Sequence, residues 1–219
     1  MPIDIKICGL KTPEAIAAAL DGGASHIGFI FFAKSPRNID PADAGRLREA
    51  ARGRALAVAV TVDADDATLD RIVATMSPDM LQLHGKETPE RVAAVKARYG
   101  LPVIKALSVS TAEDIAAADA YRGIADRLLF DAKAPKGSEL PGGNGVSFDW
   151  ALLAGIDPTV DYLLSGGLTA ANVGAALRIA RPPGLDVSSG VESAPGVKDA
   201  ALIAAFFRAV RQAEADLAA

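Results

Sequence analysis

Cysteine is nearly missing from the chain: Cys8 is the only one in 219 residues. No internal disulfide can form, which suits a reducing cytosol. Histidine is almost as scarce, with only His26 and His84, so a multi-histidine metal centre has little to draw on. There is no excess of positive charge: 23 Lys and Arg face 27 Asp and Glu, a net charge of −4. With no dense basic patch either, the electrostatic footprint of a nucleic-acid partner is missing. Apolar stretches such as Ile27 to Ala33 are far shorter than the ~20 residues that span a bilayer. Met1 to Lys6 carries Asp4 and Lys6 and no apolar core, so a signal peptide is not expected. With 20 Gly and 13 Pro, the chain is too poor in both for low-complexity sequence. What remains is globular composition, half hydrophobic and 23% charged. We expect one soluble, cytoplasmic domain over residues 1–219, a monomer rather than a homodimer, with no membrane or nucleic-acid partner.

Short apolar runs recur along the chain with amphipathic stretches between them. The strand candidates are Ile3 to Ile7, His26 to Phe32, Ala55 to Val62, Met80 to Leu83, Val103 to Leu107, Arg127 to Phe130, Tyr162 to Leu164 and Leu185 to Val187. Runs this short, bounded by Gly, Pro, Asp or Ser, read as buried parallel strands. Thr12-Pro13-Glu14 and Thr88-Pro89-Glu90 each offer an N-cap, a proline at the first helical position and early negative charge. Asp40-Pro41, Asp65-Asp66, Thr111 to Asp114 and Thr169 open further helices, and a last helix runs from about Lys198 to Asp216. Eight strands alternating with about eight helices predict a parallel sheet closed into a single (β/α)8 TIM barrel. The rival is a doubly wound sheet, but no G-x-G-x-x-G follows strand one.

In such a barrel the chemistry sits where strands end. Those ends read Cys8-Gly9, Ser35-Pro36-Arg37, Asp63, Gln82-Leu83-His84-Gly85, Ser108, Asp131, Ser165-Gly166-Gly167 and Asp186 to Gly190. Glycines and serines after strands seven and eight, at Gly166, Gly167, Ser188, Ser189 and Gly190, let backbone N–H groups approach a phosphate; ordinary tight turns use the same residues. Cys8 is either a small buried hydrophobe or a thiolate base. Asp131 is a loop cap, an ion-pair partner of Lys133, or a carboxyl at the barrel mouth. Arg37 is a solvated loop charge or a bidentate grip on a carboxylate. Strand direction puts His84 on the active face and His26 on the opposite one, so the two cannot form a histidine cluster and a zinc or iron site is not expected. Trp150 reads as an anchor rather than a stacking platform.

Taken in order, five segments resemble the phosphoribosylanthranilate isomerase family. They are Lys6-Ile7-Cys8-Gly9, Gln82-Leu83-His84-Gly85, Gly142-Gly143-Asn144-Gly145 running to Phe148-Asp149-Trp150, Ser165-Gly166-Gly167-Leu168, and Asp186-Val187-Ser188-Ser189-Gly190-Val191-Glu192. The resemblance covers Lys6 to about Asp199; Asn144 departs from it, standing where many members carry threonine. It implies a cofactor-free Amadori rearrangement of tryptophan biosynthesis on a small phosphorylated substrate. Cys8 would be the general base and Asp131 the general acid. Arg37 would meet the anthranilate carboxylate, with Gln82, His84 and Asp186 supporting the substrate through hydrogen bonds. Gly166, Gly167, Ser188, Ser189 and Gly190 would hold the phosphate, and the loop Ala132 to Val146 would fold over the ligand.

Three other readings use the same features. A metal-dependent epimerase would want histidines at several strand ends, which this chain lacks. Indole-glycerol-phosphate synthase shares the phosphate site but typically carries an extension before strand one, which here begins at Ile3. A silent phosphate-sugar binder would need neither Cys8 nor Asp131.

Overall fold

The computed structural model describes residues 3–134, 137–138, 140 and 142–218. Eight parallel strands close into one barrel in sequence order. They are β1 (Asp4–Cys8), β2 (His26–Phe31), β3 (Leu56–Thr61), β4 (Met80–Leu83), β5 (Val103–Val109), β6 (Arg127–Ala132), β7 (Tyr162–Leu164) and β8 (Gly184–Val187). Every predicted strand is present, and β4 and β7 have the predicted bounds. Closure comes from β8 pairing with β1, which sets Lys6 opposite Asp186.

Alternation along the strands sorts side chains into two cores. Outward-pointing Ile7, Ile27, Phe29, Leu81, Phe130 and Leu185 pack under the helices. Inward-pointing Val58, Val60, Ile104, Leu129 and Leu163 fill the barrel together with Cys8. A fully buried side chain such as Phe29 contributes roughly 1.5–3 kcal/mol through removal of apolar surface from water.

The helices are α1 (Pro13–Gly22), α2 (Pro41–Arg48), α3 (Asp66–Met76), α4 (Pro89–Tyr99), α5 (Ala112–Ala116), α6 (Val173–Ala180) and α7 (Ala200–Ala218). The expected start signals operate: Thr12, Asp40, Asp65, Thr88 and Thr111 each accept a backbone N–H at the head of their helix. Three expectations need correction. Among the described residues between β6 and β7 there is a 3-10 turn, Trp150–Leu153, in place of an eighth α-helix. Trp150 anchors there, packed against the outer core. Thr169 opens only a turn, its carbonyl accepting from Val173, and α6 begins later. Lys198 belongs to a hairpin, β9 (Glu192–Ala194) with β10 (Val197–Lys198), rather than to the last helix. Asp199 accepts from the N–H groups of Ala201 and Leu202 at the head of α7.

At the N-terminal ends of the strands, side chains from the preceding loops tie down the strand starts. Ser25 accepts from Ile5 N–H, Asp79 from Ala57 and Asp126 from Val103. His26 lies at this end, as expected, buried with Nδ1 2.8 Å from the Ser25 hydroxyl. Burial, and then the neighbouring Arg127 charge, lower its pKa to about 4. An unfolded histidine titrates near 6.5, so below that pH the unfolded chain takes up a proton that the folded protein refuses. Stability held above pH ~6.5 is therefore lost on descending to about 4, by roughly 3 kcal/mol in total. Urea unfolding of wild type and His26→Gln across that window should show the wild type losing about that much more. Parallel curves would remove His26 as the cause.

Candidate active site

At the C-terminal ends of the strands lies a pocket, open to solvent at its mouth. Cys8, Arg37, His84, Asp131 and Asp186 line it, as do Gly166, Gly167, Ser188 and Ser189. Strand order explains the arrangement. The loops after β7 and β8 come between Asp131 at the end of β6 and Cys8 at the end of β1.

Asp131 is buried, and its carboxylate accepts from Ala132 N–H at 2.9 Å through Oδ1. Oδ2 lies 3.2 Å from His84 Nε2, so the histidine rather than Lys133 is its neighbour. On the other side of the ring, the Gln82 side-chain nitrogen lies 2.8 Å from Nδ1. An amide N–H on Nδ1 leaves the ring proton on Nε2, donating to Asp131. Gln82 itself is fully buried and stands outside the pocket lining, behind His84. Of the other strand ends, Asp63 accepts from Lys86 N–H in a loop and Ser108 is exposed; neither lines the pocket.

Arg37 is buried and its fork is already engaged. Nε and Nη2 donate to the two Glu192 oxygens at 2.7 and 2.9 Å, and Nη2 also reaches the Gly143 carbonyl at 3.3 Å. Glu192 in turn accepts from Lys198 Nζ at 2.6 Å, and that ammonium also donates to the Ser188 carbonyl at 2.9 Å. Burial works against the Glu192 charge, but Arg37 and Lys198 overcome it and hold the carboxyl below its usual range. For Lys198 burial dominates and lowers the pKa despite Glu192. The structural weight of Glu192 and Lys198 was missed in the sequence, where Pro195-Gly196 marks the hairpin turn that joins them.

The backbone after β7 and β8 turns through glycines beside the pocket. Gly166 and Gly167 have φ of +90° and +62°, the left-handed region that favours glycine. At Gly166 a side chain would also strike Ala132 N. The N–H groups of Gly166, Gly167, Ser189 and Gly190 find no backbone acceptor among the described residues, and amides left unpaired in this way can hold a phosphate. Gly190 stands behind the lining, tight against the Leu168 carbonyl.

Over the pocket runs part of the segment Ala132 to Val146. A Cβ on Gly142 would collide with Asp131 Oδ2 and His84 Nε2, and one on Gly143 would lie 2.6 Å from Arg37 Nη1. These glycines therefore lie directly on Asp131, His84 and Arg37. Asn144, the residue that departs from the family pattern, donates to the Leu140 carbonyl and faces the Ser138 hydroxyl, tying the loop to itself. Pro135, Lys136, Glu139 and Pro141 of the expected cover lie outside the described residues. Also among the described residues, no helix is long and apolar enough to cross a membrane.

Burial, the largest influence on Cys8, raises its thiol pKa; Lys6 and Lys198 pull it down and Asp186 adds to the rise. The pocket thus pairs a carboxyl group with a thiol that burial pushes up and two neighbouring ammoniums pull down. Such a pair can move two protons on one bound molecule.

A family model described as N-(5'phosphoribosyl)anthranilate (PRA) isomerase matches residues 5–209. A curated relative from Mesorhizobium japonicum, named N-(5'-phosphoribosyl)anthranilate isomerase, is 73% identical over 219 residues, all of both chains. The crystal structure of phosphoribosyl anthranilate isomerase from Thermotoga maritima superposes with a TM-score of 0.86 at 34% identity, covering 96% of this chain and 99% of that one. A phosphoribosyl anthranilate isomerase in complex with reduced 1-(o-carboxyphenylamino)-1-deoxyribulose 5-phosphate gives a TM-score of 0.83 at 32% identity, with the same coverage.

Proposed function

The chain belongs to the phosphoribosylanthranilate isomerase family, and we propose that it converts N-(5-phosphoribosyl)anthranilate into 1-(2-carboxyphenylamino)-1-deoxyribulose 5-phosphate with Asp131 as general acid and Cys8 as general base. The observation that carries this reading is that one pocket is lined by both groups, with the free glycine and serine amides between them in strand order. The phosphate on those amides places the ribose between β6 and β1. The anthranilate ring then extends toward Arg37, next along the barrel. That a similar structure holds the reduced form of this product supports the fit.

The chemistry needs one proton delivered and one removed at different atoms. Asp131 gives its proton to the furanose ring oxygen as the bond from C1′ to that oxygen breaks, leaving an iminium. The iminium makes the hydrogen on C2′ acidic, and the Cys8 thiolate takes it to form an enolamine. Tautomerisation returns a proton to C1′ and releases one from the C2′ hydroxyl, giving the ketone. Two protons enter the substrate and two leave, as an isomerisation requires. The Gly142-Gly143 backbone over Asp131 and His84 excludes water from the iminium, which would otherwise hydrolyse. A cytoplasmic monomer is the setting we propose. Of its exposed large apolar side chains, Leu56, Ile179 and Val197 lie on separate elements, and Leu202 and Leu217 stand 15 residues apart on α7.

Loss of phosphoribosylanthranilate fluorescence on adding the protein tests the activity; a signal that decays no faster than the spontaneous background overturns it. Substrate grip has its own test. Arg37→Lys keeps the charge but cannot bond both Glu192 oxygens and present a planar edge to the substrate. KM should rise by the equivalent of about 1.5–3 kcal/mol while kcat changes little. Unchanged KM would confine Arg37 to its pair with Glu192.

A further inference from the structure

Deep in the barrel, beneath the pocket, stands a lysine that packing does not explain. Lys6 is fully buried, and its Nζ donates to Asp186 Oδ1 at 2.7 Å. The Ser165 hydroxyl donates to the other Asp186 oxygen at 3.2 Å. An apolar pair of equal volume would fill this space at least as stably, because burying an ammonium and a carboxylate strips both of water. Lys6 and Cys8 lie two residues apart on β1, so both point into the barrel. Gly28, paired with Cys8 across β2, shows how near they are. A Cβ there would stand 3.1 Å from Lys6 Nζ and 3.2 Å from Cys8 Sγ. The ammonium and the sulfur share the space that the missing side chain leaves.

We propose that Lys6 is a positioning residue for the isomerisation: its ammonium, fixed by Asp186, supports the thiolate form of Cys8, an inference that rests on Cys8 being the base. The charged groups facing the thiol are few. Lys6 comes from its own strand, Asp186 from β8 and Lys198 from β10, while β2 presents only Gly28. Arg37, His84 and Asp131 stand elsewhere around the pocket wall. Each ammonium is paired to its own carboxylate, Lys6 to Asp186 and Lys198 to Glu192, and Lys6 is the larger influence opposing burial of the thiolate. Burial works against the Lys6 charge too, yet Asp186 and the Cys8 sulfur together keep that ammonium above the ordinary lysine range. The 2.7 Å ion pair with Asp186 favours the charged form of Lys6. An opposite charge at this range favours the ionised partner.

Because Cys8 is the sole cysteine, thiolate absorbance and alkylation report it without interference. In Lys6→Met the thiol should titrate about one pH unit or more higher than in wild type, and iodoacetamide should label it about tenfold more slowly near neutral pH. Loosened packing would do the reverse, since a more solvated thiol returns toward its ordinary value. An unmoved or lowered titration overturns the proposal. Should Lys6→Met fail to fold with Asp186 stranded, the comparison passes to Asp186→Asn with and without Lys6→Met. The double variant should titrate higher than the single one, and equal values overturn the proposal. Cys8→Ser judges the underlying reading separately. If it retains near wild-type kcat, Cys8 is not the base and Lys6 has no thiolate to support. If it is inactive while Lys6→Met leaves the thiol unmoved, the base stands and only the role of Lys6 falls.

Discussion

Cys8→Ser should fold as the wild type does and lose kcat by at least the ~10²-fold typical of a removed general base. A serine hydroxyl fits the space of the thiol, and Lys6 and Asp186 remain beneath it as a closed ion pair. What disappears is the more acidic of the two groups; an alkoxide in the same place is out of reach. The competing account takes Cys8 as a small member of the inner core beside Val58, Val60 and Leu129. That account forecasts the opposite pattern, a lowered melting temperature with kcat retained. Steady-state kinetics and thermal melts on the one variant separate them. Alkylation of wild type should give the same loss of activity, slowed by bound product, because the thiol lines the pocket that the product fills.

The barrel was legible because its strands are buried on both faces. Tyr162 to Leu164 is apolar from end to end and Met80 to Leu83 is apolar but for Gln82; both stop at turn residues, so their bounds could be read directly. The stretch between β6 and β7 was misread because loop and weak helix look alike where composition is mixed; Trp150–Leu153 manages only a 3-10 turn. At the site, strand polarity sufficed to send His84 to the pocket and His26 to the opposite end. It could not reveal that Arg37 binds Glu192, because those residues are 155 apart and meet only through closure of the fold. The role of Gln82 was within reach. A residue two before His84 shares its face of the chain, and an amide beside an imidazole is a natural partner for Nδ1. The same two-residue spacing joins Lys6 to Cys8, although a lysine in an apolar strand reads as exposed until burial is seen.

Asp131→Asn should bind product with near wild-type affinity, melt close to wild type, and turn over slower by at least ~10²-fold. The hydrogen-bond chain can absorb the change. The new amide oxygen accepts from Ala132 N–H as Oδ1 does now. Its nitrogen donates to His84 Nε2, which moves the ring proton to Nδ1. Gln82 Oε1 is buried with no partner among the described residues, and a turned-over Gln82 amide would offer that oxygen to the Nδ1 proton. The variant therefore keeps its contacts and loses one property, the ability to hand a proton to the ring oxygen. Each alternative leaves a different trace in the same three measurements. A loop cap for Ala132 predicts retained kcat with a modest fall in melting temperature, since an amide oxygen accepts less strongly than a carboxylate. A silent binder has no turnover to lose. A variant that keeps kcat but melts lower removes Asp131 from the mechanism and passes the acid role to another group on the pocket wall.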